Sequence, residues 1–407
     1  MMQVMEQADL VVVGGGMVGL ALAAALADSP LSVVVVEQGG APEAEPSLSR
    51  VSALNHASLA LLQRLGVWPL ATQFAAPITG MQVWQADAPG RLQFEPAMAD
   101  CADLGAIVAN DAVVAALWQR LKRARNVQLW ADAKPQTQTL TMGKRDAFLQ
   151  LADGRTLSGA LLVAADGAHS WLRQQAGLPQ LFADYGHDAL VTTLQCTEPH
   201  GGIARQIFHQ SGPVALLPLP DAHQVSLVWS LPPVDAGKLQ ALDDDAFTKA
   251  VTVASDCCLG VLRPLSPRLR FPLRWRFTRH WLAEHLVVIG DAAHTIHPLA
   301  GQGANLGLMD AAVLAEQLLA QQRSGQTPDQ QAGLRAFERW RKADALALSA
   351  AMAALRAAFA VPAPLRSLVG VGMGLVDRVS PLKQQLLHHA LWGPGQLPEL
   401  AKPLPSS

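Results

Sequence analysis

Short, almost wholly apolar runs recur along the chain, and each is followed by glycine or a carboxylate. Such runs are typical of buried strands in a parallel sheet, because both faces of that sheet are covered. Four of them predict strands, at residues 9–13, 31–36, 161–165 and 286–289. Helices are predicted over residues 20–27, 52–66, 110–125 and 170–177, and from about 304 to beyond 319.

A second pattern alternates apolar and polar residues, as expected for strands with one exposed face. It occupies residues 78–94, 188–193, 207–208, 214–219 and 225–231. A chain of 407 residues also exceeds the usual size of one domain. We therefore predict an α/β fold, in which a parallel sheet with helices is joined to a second domain built from a β-sheet.

The first predicted strand runs into the motif Gly14-Gly-Gly16-Met-Val-Gly19. In dinucleotide-binding folds the first glycine makes a tight turn, the second admits a pyrophosphate to the helix N-terminus, and the third lets helix and strand pack closely. Glu37 follows the second strand, where an acidic side chain can accept hydrogen bonds from the ribose of an ADP group. Strand, glycines, helix, strand and carboxylate together favour a nucleotide site over a plain glycine-rich turn.

Another glycine-rich stretch lies late in the chain and ends at Asn305. Gly290 and Asp291 follow the last apolar strand, where an open α/β sheet meets its ligand, and a carboxylate there suits a ribityl chain. Gly301 and Gly303 let the backbone approach a ligand, and the N-terminus of the next helix attracts an anion. An ordinary strand-loop-helix corner is the alternative interpretation.

His294 and His297 have the spacing of a metal-ligand pair. No cysteine or acidic cluster with ligand spacing accompanies them, and Pro298 follows directly. We therefore predict loop structure or a contact with a cofactor here rather than a metal site.

Composition and charge narrow the class of protein. The net charge is −2 and the basic residues are scattered, which argues against nucleic acid as the main partner. The four cysteines show no Cys-x-x-Cys spacing and fit buried thiols in a reducing compartment. The apolar segment 10–27 follows Glu6 and Asp9, and the first basic residue is Arg50, so the positive start of a signal peptide is missing. We expect a cytoplasmic protein.

Asp166 and Gly167 end the strand predicted over 161–165, although a helix cap is the simpler interpretation of Asp166 taken alone. The set Gly14-x-Gly16-x-x-Gly19, Asp166-Gly167 and Gly290-Asp291 resembles the FAD-dependent aromatic hydroxylases typified by para-hydroxybenzoate hydroxylase. Residues 294–307 resemble the ubiquinone-biosynthesis hydroxylases of that class. Further stretches are most similar to the 2-polyprenylphenol hydroxylases among them, at 65–68, 116–118, 184–191 and 198–209.

The resemblance implies a Rossmann-like FAD-binding domain of the para-hydroxybenzoate hydroxylase type, with an inserted β-sheet substrate domain and a C-terminal helical region. The FAD-binding domain would comprise residues 1–72, 101–180 and 285–350. The substrate domain would comprise residues 73–100 and 181–284, and the helical region residues 351–407.

The resemblance also implies which residues hold non-covalent FAD. The ADP half, the middle of the cofactor and the isoalloxazine would each meet one group of residues. The ADP half would meet Gly14, Gly16, Gly19 and Glu37. The middle of the cofactor would meet Arg50, Asn110, Asp166, Gly167, Gly290 and Asp291. The isoalloxazine would meet Pro298, Gly301, Gly303, Ala304 and Asn305.

The chemistry of the family would begin with reduction of FAD by NADH or NADPH. O2 would then add to give a flavin C4a-hydroperoxide, which the electron-rich ring of a polyprenylated phenol attacks. The protein mainly positions the ring and excludes water, so we expect no catalytic triad, and Pro298 would border the reacting centre. Residues 370–374 lack the preceding strand of a second dinucleotide fold, so NAD(P)H would bind transiently at the flavin cleft.

Tyr185 is the only tyrosine and begins the alternating segments of the substrate domain. Its hydroxyl could hydrogen-bond the substrate phenol and ease its deprotonation. A packed aromatic ring whose hydroxyl is satisfied by the backbone is an equally good interpretation.

Three functions stay open on the sequence. The favoured one is a monooxygenase of ubiquinone biosynthesis that hydroxylates a polyprenylated phenol, with other ring carbons as an alternative. The second is a flavin-dependent oxidase or prenyl reductase on a similar fold. The third is a flavin-binding or scaffold protein without catalysis.

The chain beyond residue 345 is rich in apolar residues, but no stretch is long enough without charge or proline to span a bilayer. We expect residues 345–360 to close over the FAD domain as core. We expect residues 365–392 to present an apolar face to a membrane surface or to partner subunits, in a homo-oligomer or a ubiquinone-biosynthesis complex. The protein would then be peripheral at the inner face of the membrane.

Overall fold

The computed structural model describes residues 5–43, 46–86, 90–136, 140–296, 301–359, 380–393 and 395–403. The strands are, in chain order, β1 (Met5–Val13), β2 (Val33–Val36), β3 (Val51–Leu54), β4 (Ala75–Pro77), β5 (Gly80–Gln85), β6 (Arg91–Phe94), β7 (Ala106–Ala109), β8 (Val127–Trp130), β9 (Thr141–Met142), β10 (Ala147–Gln150), β11 (Thr156–Ala164), β12 (Gln180–Cys196), β13 (Ile203–His209), β14 (Gly212–Pro218), β15 (Gln224–Leu231), β16 (Leu262–Pro264), β17 (Leu269–Thr278), β18 (Leu282–Ala283), β19 (Leu286–Val288) and β20 (His294–Thr295). The helices are α1 (Met17–Ala25), α2 (His56–Arg64), α3 (Trp68–Ala71), α4 (Asn110–Leu121), α5 (Trp171–Gln175), α6 (Pro233–Ala241), α7 (Asp244–Ala254), α8 (Gln302–Arg323), α9 (Gln331–Phe359) and α10 (Ser380–Trp392).

The apolar runs form a sheet with the strand order β18-β19-β11-β1-β2-β8. Strands β19, β11, β1, β2 and β8 run parallel to their neighbours in this series. In register, Val13 lies opposite Val36 and Ala164, and Ala164 lies opposite Val288. The residues that follow these positions therefore meet at one edge of the sheet, which brings the three glycine-acid junctions together.

The alternating segments form a large mixed sheet, in the order β20-β17-β12-β15-β14-β13-β5-β6, with β16 beside β12. Strands β5 and β13 run parallel, whereas the other described pairs of this sheet are antiparallel. In β14, buried and half-buried residues alternate along the strand. The buried side, with Val214 and Leu216, packs in a separate hydrophobic core with residues of α6 and α7.

The helix predicted over 52–66 begins later than expected. Val51–Leu54 is β3, which pairs antiparallel with β7 in a small sheet that also contains β4. Asn55 ends the strand and caps α2, because its side-chain oxygen accepts a hydrogen bond from the backbone N–H of Ser58 at 3.0 Å. Apolar spacing could not separate the two elements, since Leu54 is buried as a strand residue just as it would be in a helix.

Burial in the two C-terminal helices differs from the prediction. The expectation that residues 345–360 are core is wrong for much of this segment, because residues 346–355 and Ala357 are half-buried or exposed. Alanine favours a helix whether or not it is buried, so this composition reports helix propensity rather than core. In α10, by contrast, Lys383, Leu387 and Leu391 are buried and share one face because they are four residues apart.

The contact surface expected over residues 365–392 lies partly outside the described residues, which resume at Ser380. Among the helices that the structure describes, none is both long and apolar enough to cross a membrane.

Candidate active site

A cavity of about 380 Å³ opens at the sheet edge where the glycine-acid junctions meet. Eight of the residues predicted to contact FAD line it: Gly16, Asn110, Gly167, Gly290, Asp291, Gly301, Gly303 and Ala304. Val51 and Ser52 also lie in its wall, and the Ser52 hydroxyl donates a hydrogen bond to Asn110 Oδ1 at 2.7 Å. The fold thus gathers residues from every predicted part of the FAD-binding domain.

A second cavity, of about 560 Å³, adjoins the first and shares Gly16 with it. Glu37 lies in its wall, and two backbone donors fix its carboxylate. The N–H of Gly15 donates to Oε2 at 2.6 Å, and the N–H of Gly39 donates to Oε1 at 2.7 Å. Because the two cavities meet at Gly16, they form one elongated cleft with a carboxylate near one end, a shape that fits a dinucleotide.

The three glycines of the first turn have different surroundings. Gly14 has a φ of +115°, and a Cβ added there would lie 2.3 Å from the carbonyl oxygen of Ala165. A Cβ on Gly19 would lie 2.1 Å from the carbonyl oxygen of Gly14. A Cβ on Gly16 would meet no protein atom within 4 Å. Gly14 and Gly19 therefore permit the close packing of the turn, while Gly16 leaves space open at the N-terminus of α1, where an anion is favoured.

Asp166 has one satisfied and one unsatisfied carboxylate oxygen. Oδ2 accepts a hydrogen bond from the N–H of Leu172 at 3.1 Å. Oδ1 is buried and has no hydrogen-bond partner among the described residues. Burial raises the pKa of this carboxyl, and hydrogen bonds to Ser170 and Leu172 offset part of that effect. Since an unpaired buried acceptor is costly, a hydroxyl donor from a ligand beside Gly167 would stabilise it.

Asp291 lies in the wall of the first cavity, just after the strand end at Val288. Its side chain is exposed toward the cavity and has protein on its other sides. Removal from bulk water raises the pKa of its carboxyl, and nearby His294, Arg50 and Arg276 reduce that rise. The carboxylate is thus an acceptor directed into the space that a ligand would fill.

A buried cluster of charged side chains contacts the turn at Gly290 and Asp291 on the side away from the cavity. Asp310 on α8 is fully buried, and its Oδ2 accepts from the N–H of Gly290 at 3.0 Å and lies 2.6 Å from Nε2 of His294. Its Oδ1 accepts from Nε of Arg341 at 2.8 Å. Burial by itself would raise the pKa of Asp310, but His294 and Arg341 hold it below its ordinary value. One carboxylate therefore joins the cavity wall to α8 and α9.

This cluster defines the role of His294. Its Nε2 is engaged by Asp310, and its ring centroid lies 5.2 Å from that of Trp281. His297 lies outside the described residues.

The sequence analysis did not identify Asp310 or Arg341 as residues that support the site. The available signal was a single carboxylate within the apolar run 304–315, because a charge in a buried helix face requires a partner.

The side chains of Asn305 and Arg50, both predicted to contact FAD, have partners within the protein. The Asn305 amide donates to the carbonyl of Ala53 at 2.8 Å. Its Oδ1 accepts from the N–H of Asn55 at 3.0 Å and from the Ser58 hydroxyl at 2.7 Å. The Arg50 guanidinium lies over the ring of Phe271 at 4.8 Å. Asn305 thus fastens the start of α8 to β3 and α2, and it lines neither of the two cavities assigned to the cofactor.

Of the two predicted catalytic residues, the structure describes Tyr185 alone. Tyr185 is half-buried at an irregularity of β12 between Asp184 and His187, and it lines none of the cavities described in this section. Pro298 lies outside the described residues.

A third, mostly apolar cavity adjoins the first. Strands β3 and β7 of the small sheet form one side, and β5, β13, β14 and β15 of the large sheet form the other. Val51 and Gly301 line both this cavity and the first. The polar side chains in its wall are Arg205, which donates to the carbonyl of His200 at 3.0 Å, and Gln206. A ring bound here would meet a ligand in the first cavity at Gly301.

Comparisons with known proteins agree with this geometry. The family model described as FAD binding domain matches residues 7–349. Ubiquinone hydroxylase UbiL from Rhodospirillum rubrum is 36% identical, over 94% of this chain and 89% of that protein. The 3-demethoxyubiquinol 3-hydroxylase of Escherichia coli is 32% identical, over 95% of this chain and 99% of that protein. The solved structure of p-nitrophenol 4-monooxygenase PnpA from Pseudomonas putida shares the fold, with a TM-score of 0.79 at 18% identity over 95% of this chain and 98% of that chain.

The fold, the elongated cleft and the family match define an FAD-dependent monooxygenase. The chain belongs to the family of FAD-dependent hydroxylases whose other members include those named for ubiquinone biosynthesis. The predicted fold class, the predicted resemblance and FAD as cofactor are confirmed, and NAD(P)H and O2 are the co-substrates typical of the class. The domain boundaries and the individual FAD contacts stay predictions.

Proposed function

We propose that this enzyme hydroxylates a polyprenylated phenol in ubiquinone biosynthesis, with NAD(P)H as electron donor and O2 as the source of oxygen. The observation that carries the proposal is the apolar cavity that meets the FAD cleft at Val51 and Gly301. An apolar cavity with few polar side chains suits an aromatic ring with a hydrocarbon substituent. Two relatives that align over nearly the whole chain are named for ubiquinone or demethoxyubiquinol, which supports the pathway.

The residues of the cleft suit FAD in a definite order. Glu37 would accept hydrogen bonds from the ribose, and the open backbone at Gly16 would admit the pyrophosphate to the N-terminus of α1. The unpaired Oδ1 of Asp166 and the carboxylate of Asp291 would accept hydrogen bonds from hydroxyl groups in the middle of the cofactor. When bound, FAD supplies the redox chemistry between NAD(P)H and O2.

The protein's own contribution is to hold the phenol and to exclude water. The apolar side chains of β3, β5, β14 and β15 would surround the ring, so that it lies next to the cofactor at Gly301. Gln206 is the buried polar side chain in this wall that can orient the phenol hydroxyl.

Oxygen-isotope labelling tests the reaction type. In 18O2, the purified FAD-bound protein with NAD(P)H and a prenylated phenol should give a product that contains one labelled oxygen. A product without label would identify an oxidase or prenyl reductase instead. If NAD(P)H does not reduce the bound flavin, the protein is a flavin-binding or scaffold protein without this catalysis.

The substrate that we propose is 2-polyprenylphenol, and the alternative is another ring carbon of a later ubiquinone precursor. The name of the Escherichia coli relative illustrates that alternative. Mass spectrometry of quinone intermediates in cells that lack this protein separates them. Accumulation of 2-polyprenylphenol supports the proposal, and accumulation of a later, methoxylated precursor overturns it. A homo-oligomer, a ubiquinone-biosynthesis complex and peripheral membrane contact stay predictions.

A further inference from the structure

The apolar cavity is continuous with the buried face of the C-terminal helix α10. Ile78, Ile107 and Ala204 line the cavity and also belong to a buried hydrophobic cluster. Leu387 and Leu391 of α10 belong to the same cluster. Apolar side chains therefore lead without interruption from the place of the proposed phenol ring to α10.

Helix α10 has one buried face and one exposed face. Leu387 and Leu391 are 4% and 2% exposed, whereas Leu386, the residue before Leu387, is 48% exposed. The helix packs against α2 and against the short turn Pro96–Ala99. One face of α10 thus packs in the hydrophobic cluster that borders the cavity, and Leu386 lies on an exposed face of the same helix.

The contacts of α10 with its neighbours are to a large extent apolar or weakly polar. The side-chain amide of Asn55 donates to the carbonyl of Ala390 at 3.4 Å, near the upper limit for a hydrogen bond. The ring of Trp392 meets His56 edge-on at 5.3 Å between centroids, and Nζ of Lys383 lies 5.6 Å from the ring centre of Phe94. Aromatic and apolar side chains thus form part of the contact between α10 and its neighbours, and such side chains can adapt to an apolar ligand.

We infer that α10 binds the isoprenoid tail of the substrate, with Leu387 and Leu391 as the side chains that contact it. The inference rests on the proposed function, because it requires a prenylated phenol in the cavity. A ring placed beside Gly301 must direct its hydrocarbon tail away from the FAD cleft. Ile78 and Ile107 of the cavity wall pack in one apolar cluster with Leu387 and Leu391, and a tail that displaces part of this packing would contact α10. Helix α10 then determines the preference for long tails, while the cavity itself binds the ring.

Kinetics with two phenols test the inference, one with a single isoprene unit and one with several. In Leu387→Ala, the KM for the long-tailed phenol should rise about tenfold, as for the loss of an apolar contact of this size. The KM for the short-tailed phenol and both kcat values should change less than about twofold, because the ring and the flavin are untouched. Leu386→Ala is the matched control, since it makes the same chemical change on the exposed face, and it should leave both substrates unaffected.

Equal changes for the two phenols, or equal effects of Leu386→Ala and Leu387→Ala, would overturn the inference. If the parent protein hydroxylates neither phenol, the proposed function itself fails, and the two failures are therefore distinguishable.

Photolabelling gives a second measurement that does not depend on a variant folding. A phenol whose tail ends in a diazirine should label the peptide that contains Leu387 and Leu391 in the unaltered FAD-bound protein. Labelling that maps only to other segments overturns the inference.

Discussion

The FAD cleft and the apolar cavity meet at Val51 and Gly301, yet they are built in different ways. The wall of the cleft includes seven glycines and several carboxylates, many of them just after parallel strands, beside apolar side chains such as Val18 and Trp118. The apolar cavity is walled by side chains from the middle of strands in two sheets. Backbone walls are fixed by turn geometry and tolerate little change, whereas side-chain walls can be reshaped by substitution. We therefore expect variants of the cleft to lose folding or FAD, and variants of the apolar cavity to lose hydroxylation alone.

The largest expected loss of stability comes from the buried ionic cluster around Asp310. Asp310→Asn should lower the free energy of unfolding by about 3–5 kcal/mol, because it removes the fully buried charge that pairs with Arg341 and lies beside His294, and leaves Arg341 with Asp344 alone. Urea unfolding at neutral pH measures this loss. Asp235→Asn is the control, since Asp235 forms an exposed ion pair with Lys238 at 3.5 Å and should change stability by less than about 1 kcal/mol. Equal effects of the two variants would contradict the role of the cluster.

The same carboxylate predicts a dependence on pH. The pKa of Asp310 is lowered in the folded protein. Its contribution is therefore fully present above the ordinary pKa of an aspartate and is lost as the pH falls through the lowered folded value. The parent protein should lose stability in that acidic window, and Asp310→Asn should lack this part of the loss.

Next in size is Gly14→Ala, which tests the backbone wall directly. The new Cβ would lie 2.3 Å from the carbonyl oxygen of Ala165 at a φ of +115°. We expect a loss of roughly 2–4 kcal/mol from strain and overpacking. Gly16→Ala is the matched control, because a Cβ there meets no protein atom within 4 Å. It should unfold like the parent but bind FAD more weakly, as measured by flavin fluorescence titration.

Asp291→Ala should weaken FAD binding without unfolding the protein. A charge-assisted hydrogen bond contributes about 1.5–3 kcal/mol, so the dissociation constant should rise roughly ten- to a hundredfold. Asp184→Ala removes an exposed carboxylate that lines none of the three cavities and should leave FAD affinity unchanged. An unaltered affinity in Asp291→Ala would remove that residue from the cofactor site.

Ala215→Leu tests the apolar cavity, whose wall is built from side chains. Ala215 lines the apolar cavity, so leucine should fill it and reduce hydroxylation about tenfold or more. FAD content should be normal, and stability should change by less than about 1.5 kcal/mol because the leucine occupies existing space. Ala183→Leu, on an exposed position of β12, is the control for a leucine added to the large sheet. Loss of FAD in Ala215→Leu would show that the two cavities are not independent.

The smallest effect is expected for Tyr185→Phe. Because Tyr185 lines none of the three cavities, removing its hydroxyl should leave the rate of hydroxylation unchanged. The hydrogen peroxide released per NAD(P)H consumed should equal that of the parent. Increased release would instead support the predicted contact with the substrate phenol.

The same division explains how much could be predicted from the sequence. Gly14, Gly16, Glu37 and Asp291 can be placed near the sheet edge from the sequence, because each lies within three residues after a strand and local order fixes its position. The wall of the apolar cavity was not found, because it is assembled from six strands that pair across long stretches of chain.

The hydrogen-bond partners of individual side chains could not be predicted from the sequence either. Asn305 was assigned to the cofactor from its position in the motif, but its amide is taken up by Ala53, Asn55 and Ser58. Asn55 itself was hidden inside a continuous apolar pattern that covered both a strand and a helix. A motif identifies the neighbourhood of such residues, and only the packed fold decides where their hydrogen bonds go.

The hydrogen bonds of Asn305 have a consequence for the order in which the protein is made. They join residues that are separated by 247 to 252 positions in the chain. The glycine turn after β1 leaves the ribosome long before the segment that completes the cofactor site, and contacts of such sequence separation form late in folding. Flavin is therefore bound only when most of the chain has been synthesised, and a nascent chain that stops before α8 should emerge without it.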